Sequence, residues 1–446
     1  MVVMKFGGSS VANAERIKHV ASIVRSYADR RPIVVLSAMG DTTDHLLEAA
    51  DMAVNGEVAI ARIETLHRET ADILGVDFAP VQELLEELDT LLTGISLLKE
   101  LTKRTRDYLV SFGERLSVRL TAAYLNKLGT PAQFYDAWDV GFVTDSNFMA
   151  AELLEECWQL IPQALDDYKS GRVQEIPVVT GFIAKDRKGY ITTLGRGGSD
   201  LTATMLGAAL GCDEVQTWKD VNGILTADPR IVPDARTVPE VTYEEAAELA
   251  YFGAQVLHPR SMVPCRKTGT LVRVKNSYNI DFPGSIIVNN HAGPVGPVRA
   301  ITAVKDVMLL DIVSTRMIGA SGFMAHIFNQ FLKWDISIDV IATSEVSISL
   351  TVNNKGDLSD LLADMQGLAT TELKRGKAII TVICDADKAT SILADGFAAL
   401  VKEGINVQMI SKGASKVNIS MICDDSEADL VVRTLHEAYF PAQDKV

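Results

Sequence analysis

The sequence is short of cysteine, of positive charge and of long apolar runs, and each shortage closes off a class of function. Five cysteines (Cys157, Cys212, Cys265, Cys384 and Cys423) are scattered through 446 residues. They are odd in number and form no CxxC pair, so neither a disulfide framework nor a paired-thiol metal site is expected, and a reducing cytosol suits the chain. Acidic residues outnumber basic ones by 58 to 43, a net charge of −15. Nucleic-acid binding, which needs basic stripes against phosphate, is therefore not expected. No apolar stretch reaches the roughly 20 residues that a membrane crossing requires. The opening MVVMKFGGSS is not a basic-then-apolar leader. Walker A, HExxH and GxSxG patterns are missing as well, and the seven histidines are dispersed. What remains is a globular composition, 47% hydrophobic and 23% charged, on a chain long enough for two or three domains. The expectation is a cytoplasmic, multidomain protein with neither membrane nor nucleic acid as partner.

Hydrophobic patterning supplies the architecture. Val2-Val3-Met4 is a short apolar run, and Val11 to Tyr27 carries Val11, Ile17, Val20, Ala21 and Val24 at helical spacing. Ile33-Val34-Val35-Leu36 is a continuous apolar run, as a parallel strand covered on both faces should be, and Val178-Val179 with Phe182-Ile183 repeats the pattern. Leu201 to Leu210 reads as a helix, and Val81 to Leu101 carries a wide leucine stripe that is best read as packing. Strands alternating with helices indicate an α/β fold. Near residue 293, Gly-Pro-Val-Gly-Pro marks a linker, and the chain beyond it is internally duplicated. Phe331 to Ile338 lies over Leu400 to Val407 with Lys333 matching Lys402, an offset of 69, and Val346 to Leu350 lies over Val417 to Met421 with an offset of 71. Each copy reads helix, turn, strand, loop, strand. The expected domains are 1–292, 299–374 and 375–446, the last two being small α+β modules that can interleave in sequence.

Three glycine-rich segments stand where strands end. In Lys5-Phe6-Gly7-Gly8-Ser9-Ser10, two glycines let backbone N–H groups approach a polyanion, the following helix adds its positive end, and Lys5 can reach the same oxygens. A tight turn with Ser9 or Ser10 as a helix N-cap fits the same residues. In Thr192-Thr193-Leu194-Gly195-Arg196-Gly197-Gly198-Ser199-Asp200, Arg196 could clamp a carboxylate, while Asp200 or Ser199 could simply cap the next helix. The segment fails as a dinucleotide fingerprint because Asp200 occupies the third glycine position. The third segment, Trp218 to Arg230, contains Asn-Gly and Asp-Pro and reads by default as a loop.

In combination these motifs resemble the aspartate kinases. KFGGSS, LSAMGDTTD, SFGERLS at Ser111 to Ser117, TGFIA, TTLGRGGSD, WKDVNGILTADPR and FGAQVLHP occur in that family's order, and tandem ACT modules end the pattern. WKDV and FGAQVLHP followed by VRVKNSYN look most like the monofunctional, lysine-sensitive branch. The resemblance implies an amino-acid kinase fold, a parallel-sheet αβα sandwich, followed by two ferredoxin-like ACT modules. It also implies phosphorylation of the β-carboxylate of L-aspartate by ATP with Mg²⁺, at the head of the route to lysine, threonine and methionine.

The resemblance carries roles residue by residue. Lys5 and Asp200 would be catalytic, and Ser37, Thr43, Glu114, Phe182, Arg196 and Ser199 would hold aspartate, although Glu114 could be a solvated helix acid. Lys5, Gly7, Gly8, Ser9, Lys219, Asp220, Leu225, Asp228 and Arg230 would take ATP; no metal ligand is assigned. Many relatives have lysine where this chain has Gln255, which cannot offer charge to phosphates. Met317, Gly319, Gly322, Ser337, Asp339, Ser344 and Glu345 match the family's effector segment, with lysine as effector and a homodimer or larger homo-oligomer formed through the ACT modules. Solvated loop acids are the alternative reading of Asp339 and Glu345. A related kinase acting on glutamate or on a phosphorylated nucleotide would lack SFGERLS and the paired modules, and a catalytically silent sensor would lack Lys5 or Asp200.

Overall fold

The computed structural model describes residues 1–254, 257–293, 295–314, 322–353, 358–412 and 416–441. Gln255, Met317 and Gly319 lie outside these. The chain divides into two compact units. The first is Met1–Ile224 with Pro239–Tyr243 and Leu257–Asn290; the second is Leu225–Val238 with Glu244–Val256 and His291–Val446.

The first unit is built on an eight-stranded sheet in the order Ala132–Tyr135, Ile176–Thr180, Pro32–Leu36, Val2–Phe6, Glu214–Lys219, Leu271–Asn276, Ser285–Val288, Glu240–Thr242. The first six of these strands run parallel. Every residue of Pro32–Leu36 and of Ile176–Thr180 is buried, as the continuous apolar runs require of a sheet covered on both faces. The register pairs Phe6 with both Leu36 and Trp218. The turns after three adjacent strands therefore open at one edge, where open parallel sheets bind ligands. A separate three-stranded sheet contains the hairpin Ile183–Asp186 and Ile191–Thr193.

Helix ends differ from the sequence expectation for local reasons. The first helix runs from Ala14 to Ser26, because Asn13 caps it by accepting the Arg16 N–H at 3.0 Å. A 3₁₀ turn, Gly8–Val11, precedes it with no side-chain cap, so neither Ser9 nor Ser10 has the capping role. The leucine-striped helix spans Ala79–Leu98 and stops at Lys99 in the left-handed region. The helix that grows out of the second glycine-rich segment starts at Gly198 with Gly197 as its N-cap, which places Asp200 inside the first turn rather than at the cap.

The second unit holds a six-stranded sheet in the order Ile338–Thr343, Ser347–Asn353, Val298–Val313, Thr370–Cys384, Asn418–Asp424, Met409–Ser411. The duplicated pattern appears as two matching series. One is helix Phe323–Lys333 with strands Ile338–Thr343 and Ser347–Asn353; the other is helix Ala389–Lys402 with strands Met409–Ser411 and Asn418–Asp424. The long strand Val298–Val313 serves both. Its first half pairs with Ile379–Cys384, and its second half pairs with Ser347–Asn353 and Thr370–Lys377. Helices cover two separate cores, one around Leu310, Ile327 and Leu350 and the other around Ile301, Ile380 and Val432.

Candidate active site

Strand alternation sends Phe6 to one face of the parallel sheet, where it stacks on Trp218 at 5.9 Å, and Lys5 to the other. There Lys5 meets the first turn of helix Gly198–Leu210. Its Nζ lies 2.9 Å from Oδ1 of Asp200, and each side chain is 13% exposed. The pair sits beside a cavity of about 380 Å³ lined by Lys5, Thr43, Glu114, Phe182, Gly195, Gly197, Gly198, Ser199 and Asp200. Lys219, at the end of the neighbouring strand, belongs to the same electrostatic group. Burial lowers its pKa, Asp200 opposes that shift, and Lys5 adds to it.

Several glycines here are fixed by close approach. A Cβ on Gly8 would lie 2.9 Å from the Ala38 carbonyl oxygen, and one on Gly197, whose φ is +74°, would lie 2.6 Å from His258 Cβ. Only glycine lets these turns pack so tightly. Phe182 is itself left-handed, at φ 67°. Its N–H donates to Thr202 Oγ1 at 3.2 Å, and its ring closes one wall of the cavity.

Glu114 enters from helix Lys103–Lys127 and is 3% exposed, not the solvated acid that its helix position allowed. Its Oε1 accepts the Ala38 N–H at 3.2 Å, while Oε2 has no hydrogen-bond partner among the described residues. Burial pushes its pKa up to about 8. A buried carboxyl group with one idle oxygen, on a residue that lines a cavity, can ionise to receive a cation there.

Of the sequence-derived substrate residues, Thr43, Glu114, Phe182 and Ser199 line the cavity, and Ser37 reaches it through a hydroxyl contact with Ser199 at 3.1 Å. Arg196 is exposed and does not line it, although Gly195 and Gly197 on either side do. Gly7, Gly8 and Ser9 form the turn that follows the strand bearing Lys5. Lys219 and Asp220 lie at the next strand end, whereas Leu225, Asp228 and Arg230 belong to the second unit, where exposed Arg230 pairs with Asp228 at 2.6 Å.

In the effector segment, Gly322 precedes helix Phe323–Lys333 with φ +90°. Ser337 and Glu345 are exposed. Ser344 Oγ accepts the N–H of Ser347 at 3.1 Å. Asp339 is not a simple solvated acid: it accepts the Tyr251 hydroxyl at 3.1 Å, and burial raises its pKa. Among the described residues no cluster of three or more His, Cys, Asp or Glu could hold a metal, and no helix is long and apolar enough to cross a membrane.

Two residues with a bearing on the site were missed by sequence reasoning. Asp107 and Arg260 both bind backbone beside the glycine loop, Arg260 through the Leu194 carbonyl at 2.9 Å. A signal existed for Asp107, which precedes Glu114 by seven residues, two helical turns, and so lies on the same helix face. Arg260 offered none.

A lysine–carboxylate pair framed by glycine turns at the ends of parallel strands has the charge and the backbone to handle a phosphoryl group, the chemistry of a small-molecule kinase. The profile of the Amino acid kinase family matches residues 1–276, and that of the ACT domain matches 310–356 and 386–439. Aspartokinase 2, chloroplastic, of Arabidopsis thaliana is 49% identical over 98% of this chain and 84% of its own length. Lysine-sensitive aspartokinase 3 of Escherichia coli is 36% identical over 99% of both. The crystal structure of E. coli aspartokinase III with aspartate and ADP superposes with a TM-score of 0.80 at 32% identity, covering 99% of this chain and 100% of that one. The structure of that enzyme with lysine and aspartate gives a TM-score of 0.81 at 31% identity, covering 99% of both chains. The chain belongs to the amino acid kinase family and, within it, to the aspartokinases.

Proposed function

We propose that the protein transfers the γ-phosphoryl group of ATP to the β-carboxylate of L-aspartate, giving ADP and 4-phospho-L-aspartate, under feedback from lysine bound at its ACT modules. The observation that carries this reading is the Lys5–Asp200 pair set across one small cavity from the half-unpartnered Glu114. The acceptor is already an anion near neutral pH, so no general base is needed. One carboxylate oxygen forms a bond to the γ-phosphorus, the bond from that phosphorus to the bridging oxygen breaks, and the electron pair leaves with ADP.

Catalysis then consists of positioning and charge neutralisation. Glu114 takes the ammonium of aspartate, and Ser37, Thr43, Phe182 and Ser199 shape the rest of its pocket. Arg196 lies outside the lining, so its grip on a substrate carboxylate requires the side chain to swing inward. Lys5 neutralises the moving phosphoryl group, Asp200 holds Lys5 in line, and Gly7, Gly8 and Ser9 present backbone N–H groups to the oxygens. Lys219 and Asp220 serve the nucleotide, and the family's adenosine segment continues through Leu225, Asp228 and Arg230. Mg²⁺ fits as a companion of ATP. Asp200 is a cavity carboxylate with no group of three or more His, Cys, Asp or Glu around it among the described residues, which suits an ion held mainly by phosphates and water; Asp200 would hold such an ion, which would supply charge neutralisation of the phosphates.

Residues 1–292 form the catalytic part, and 299–374 and 375–446 the two modules, interleaved through the shared strand Val298–Val313. Asp339 and Glu345 receive the ammonium groups of lysine, with Met317, Gly319, Gly322, Ser337 and Ser344 completing the segment, and the modules pair two copies of the chain. Five free, buried cysteines suit a reducing compartment such as the cytosol.

Trapping acyl phosphate as hydroxamate tests the reading. With ATP, Mg²⁺ and L-aspartate the protein yields aspartyl hydroxamate, glutamate does not replace aspartate, and lysine inhibits where threonine and S-adenosylmethionine do not. Inhibition by threonine alone would replace the effector.

A further inference from the structure

Two turns before Glu114, helix Lys103–Lys127 carries another buried acid that the proposed chemistry does not use. Asp107 is 1% exposed. Its Oδ2 accepts the N–H groups of Thr193 at 3.0 Å and Met149 at 2.9 Å, and its Oδ1 accepts the Thr193 hydroxyl at 2.8 Å. Thr193 ends strand Ile191–Thr193 and leads directly into Leu194–Asp200, the segment that supplies Gly195, Gly197, Gly198, Ser199 and Asp200 to the cavity. Met149 is a non-glycine residue at φ 74°, and its carbonyl oxygen lies 3.3 Å from where a Cβ on Gly195 would stand. The Ala151 N–H donates to the Thr193 carbonyl at 2.9 Å. Residues 149–151 and 193–195 are thus joined to each other, and one carboxylate pins both to the helix that bears Glu114.

We infer that Asp107 is a positioning residue for phosphoryl transfer. It fixes the glycine loop against helix Lys103–Lys127, so that an acceptor held by Glu114 at one end meets the Lys5–Asp200 pair at the other. The inference rests on the kinase reading for its consequence and on hydrogen bonding alone for its geometry. A side chain that collects two backbone N–H groups and a hydroxyl from two loops removes the freedom those loops would otherwise have, and displacement of a reacting group by about 1 Å can cost roughly a hundredfold in rate.

The test compares Asp107→Ala, Asp107→Asn, Thr193→Val and Tyr168→Phe in the full chain. The amide of Asp107→Asn can keep both backbone bonds through its oxygen and donate to Thr193 Oγ1, so it should stay within a few-fold of wild type. Asp107→Ala loses all three bonds and should lower kcat/KM for aspartate by about a hundredfold. Tyr168→Phe is the control: it deletes a buried bond to the Pro32 carbonyl, 2.8 Å long, remote from the cavity, and should lower Tm without altering kcat/KM. Hydrogen exchange should accelerate in Asp107→Ala at 149–151 and 193–200 while helix Lys103–Lys127 stays protected.

Wild-type kcat/KM and unchanged loop exchange in Asp107→Ala would overturn the inference. So would losses in Asp107→Ala and Tyr168→Phe that merely track Tm. Should Asp107→Ala fail to fold, Thr193→Val, which removes one of the three bonds, must show the same local exchange and a several-fold loss; wild-type behaviour there counts against the clamp. If the wild-type protein forms no aspartyl phosphate, the kinase reading falls, and the exchange pattern still decides the clamp.

Discussion

Lys5 and Asp200 reach each other from the central strand of the parallel sheet and from the first turn of helix Gly198–Leu210, closing to 2.9 Å with each only 13% exposed. The contact brings the N-terminal glycine turn and the later glycine cluster to one point, and Lys219 feels both charges. Lys5→Met should abolish measurable transfer, and Asp200→Asn should lower kcat about a hundredfold or more, the scale found for loss of one preorganised charge. Because the two act as a unit, the double variant should be scarcely worse than Lys5→Met alone. Steady-state hydroxamate assays of the three variants check this; additive losses would separate the roles.

The raised pKa of Glu114, about 8 against an ordinary 4.5, has a sign that can be measured. As pH rises from about 4.5 to about 8, the unfolded chain gives up this proton while the ligand-free fold keeps it. Stability from this group is therefore complete at low pH and is lost progressively across that window, by a few kcal/mol at most. Glu114→Gln, which never ionises, should be more stable than wild type at pH 8 and equal to it near pH 4.5, while losing aspartate binding. Aspartate's ammonium recruits the ionised form, so binding at pH 7 should release roughly one proton. Titration calorimetry in buffers of different ionisation enthalpy reads that release directly.

The glycine turns separate packing from propensity. A Cβ at Gly8 would stand 2.9 Å from the Ala38 oxygen and 3.1 Å from the Gly40 oxygen, both of them backbone. Gly8→Ala should cost about 1–3 kcal/mol and most of the activity, since the turn must open. Gly94, inside helix Ala79–Leu98, has nothing within 4 Å of its Cβ position, and Gly94→Ala should stabilise by about 0.5–1 kcal/mol with activity unchanged. Denaturant midpoints and specific activities of the two variants make the comparison.

The strands, the glycine turns and the duplication were legible because each is local. Apolar runs such as Ile33-Val34-Val35-Leu36 report burial through their own side chains, and Lys333 over Lys402 reports a repeat directly. What the local residues left open depends on partners distant in sequence. Asp200 reads as a cap until Lys5 is brought beside it. Glu114 reads as a helix acid until Ala38 donates to it. Asp339 reads as a loop acid until Tyr251 is found on it. The long strand Val298–Val313 serves both modules, and the assignment of Leu225–Val238 to the second unit follows from contacts that no periodicity encodes.

At the effector segment, the Tyr251 hydroxyl occupies one oxygen of Asp339. If that carboxylate receives an ammonium of lysine, the two donors compete, and Tyr251→Phe should strengthen lysine inhibition by about two- to tenfold, the worth of one net hydrogen bond. Glu345→Ala should weaken inhibition while leaving uninhibited turnover near wild type, because a ligand shifts a two-state balance only through its differential affinity. Lysine dose–response curves at saturating aspartate give both answers; an unchanged midpoint in Glu345→Ala would remove that residue from the effector site.

The most direct measurement follows the phosphoryl group itself. Phosphorus NMR of the protein with Mg²⁺, ATP and L-aspartate should show the γ-phosphate signal of ATP replaced in equal amount by ADP and a hydroxylamine-labile acyl phosphate, with no such signal from Lys5→Met. ATP consumption that yields only inorganic phosphate, or an acyl phosphate formed equally well by Lys5→Met, would contradict the account.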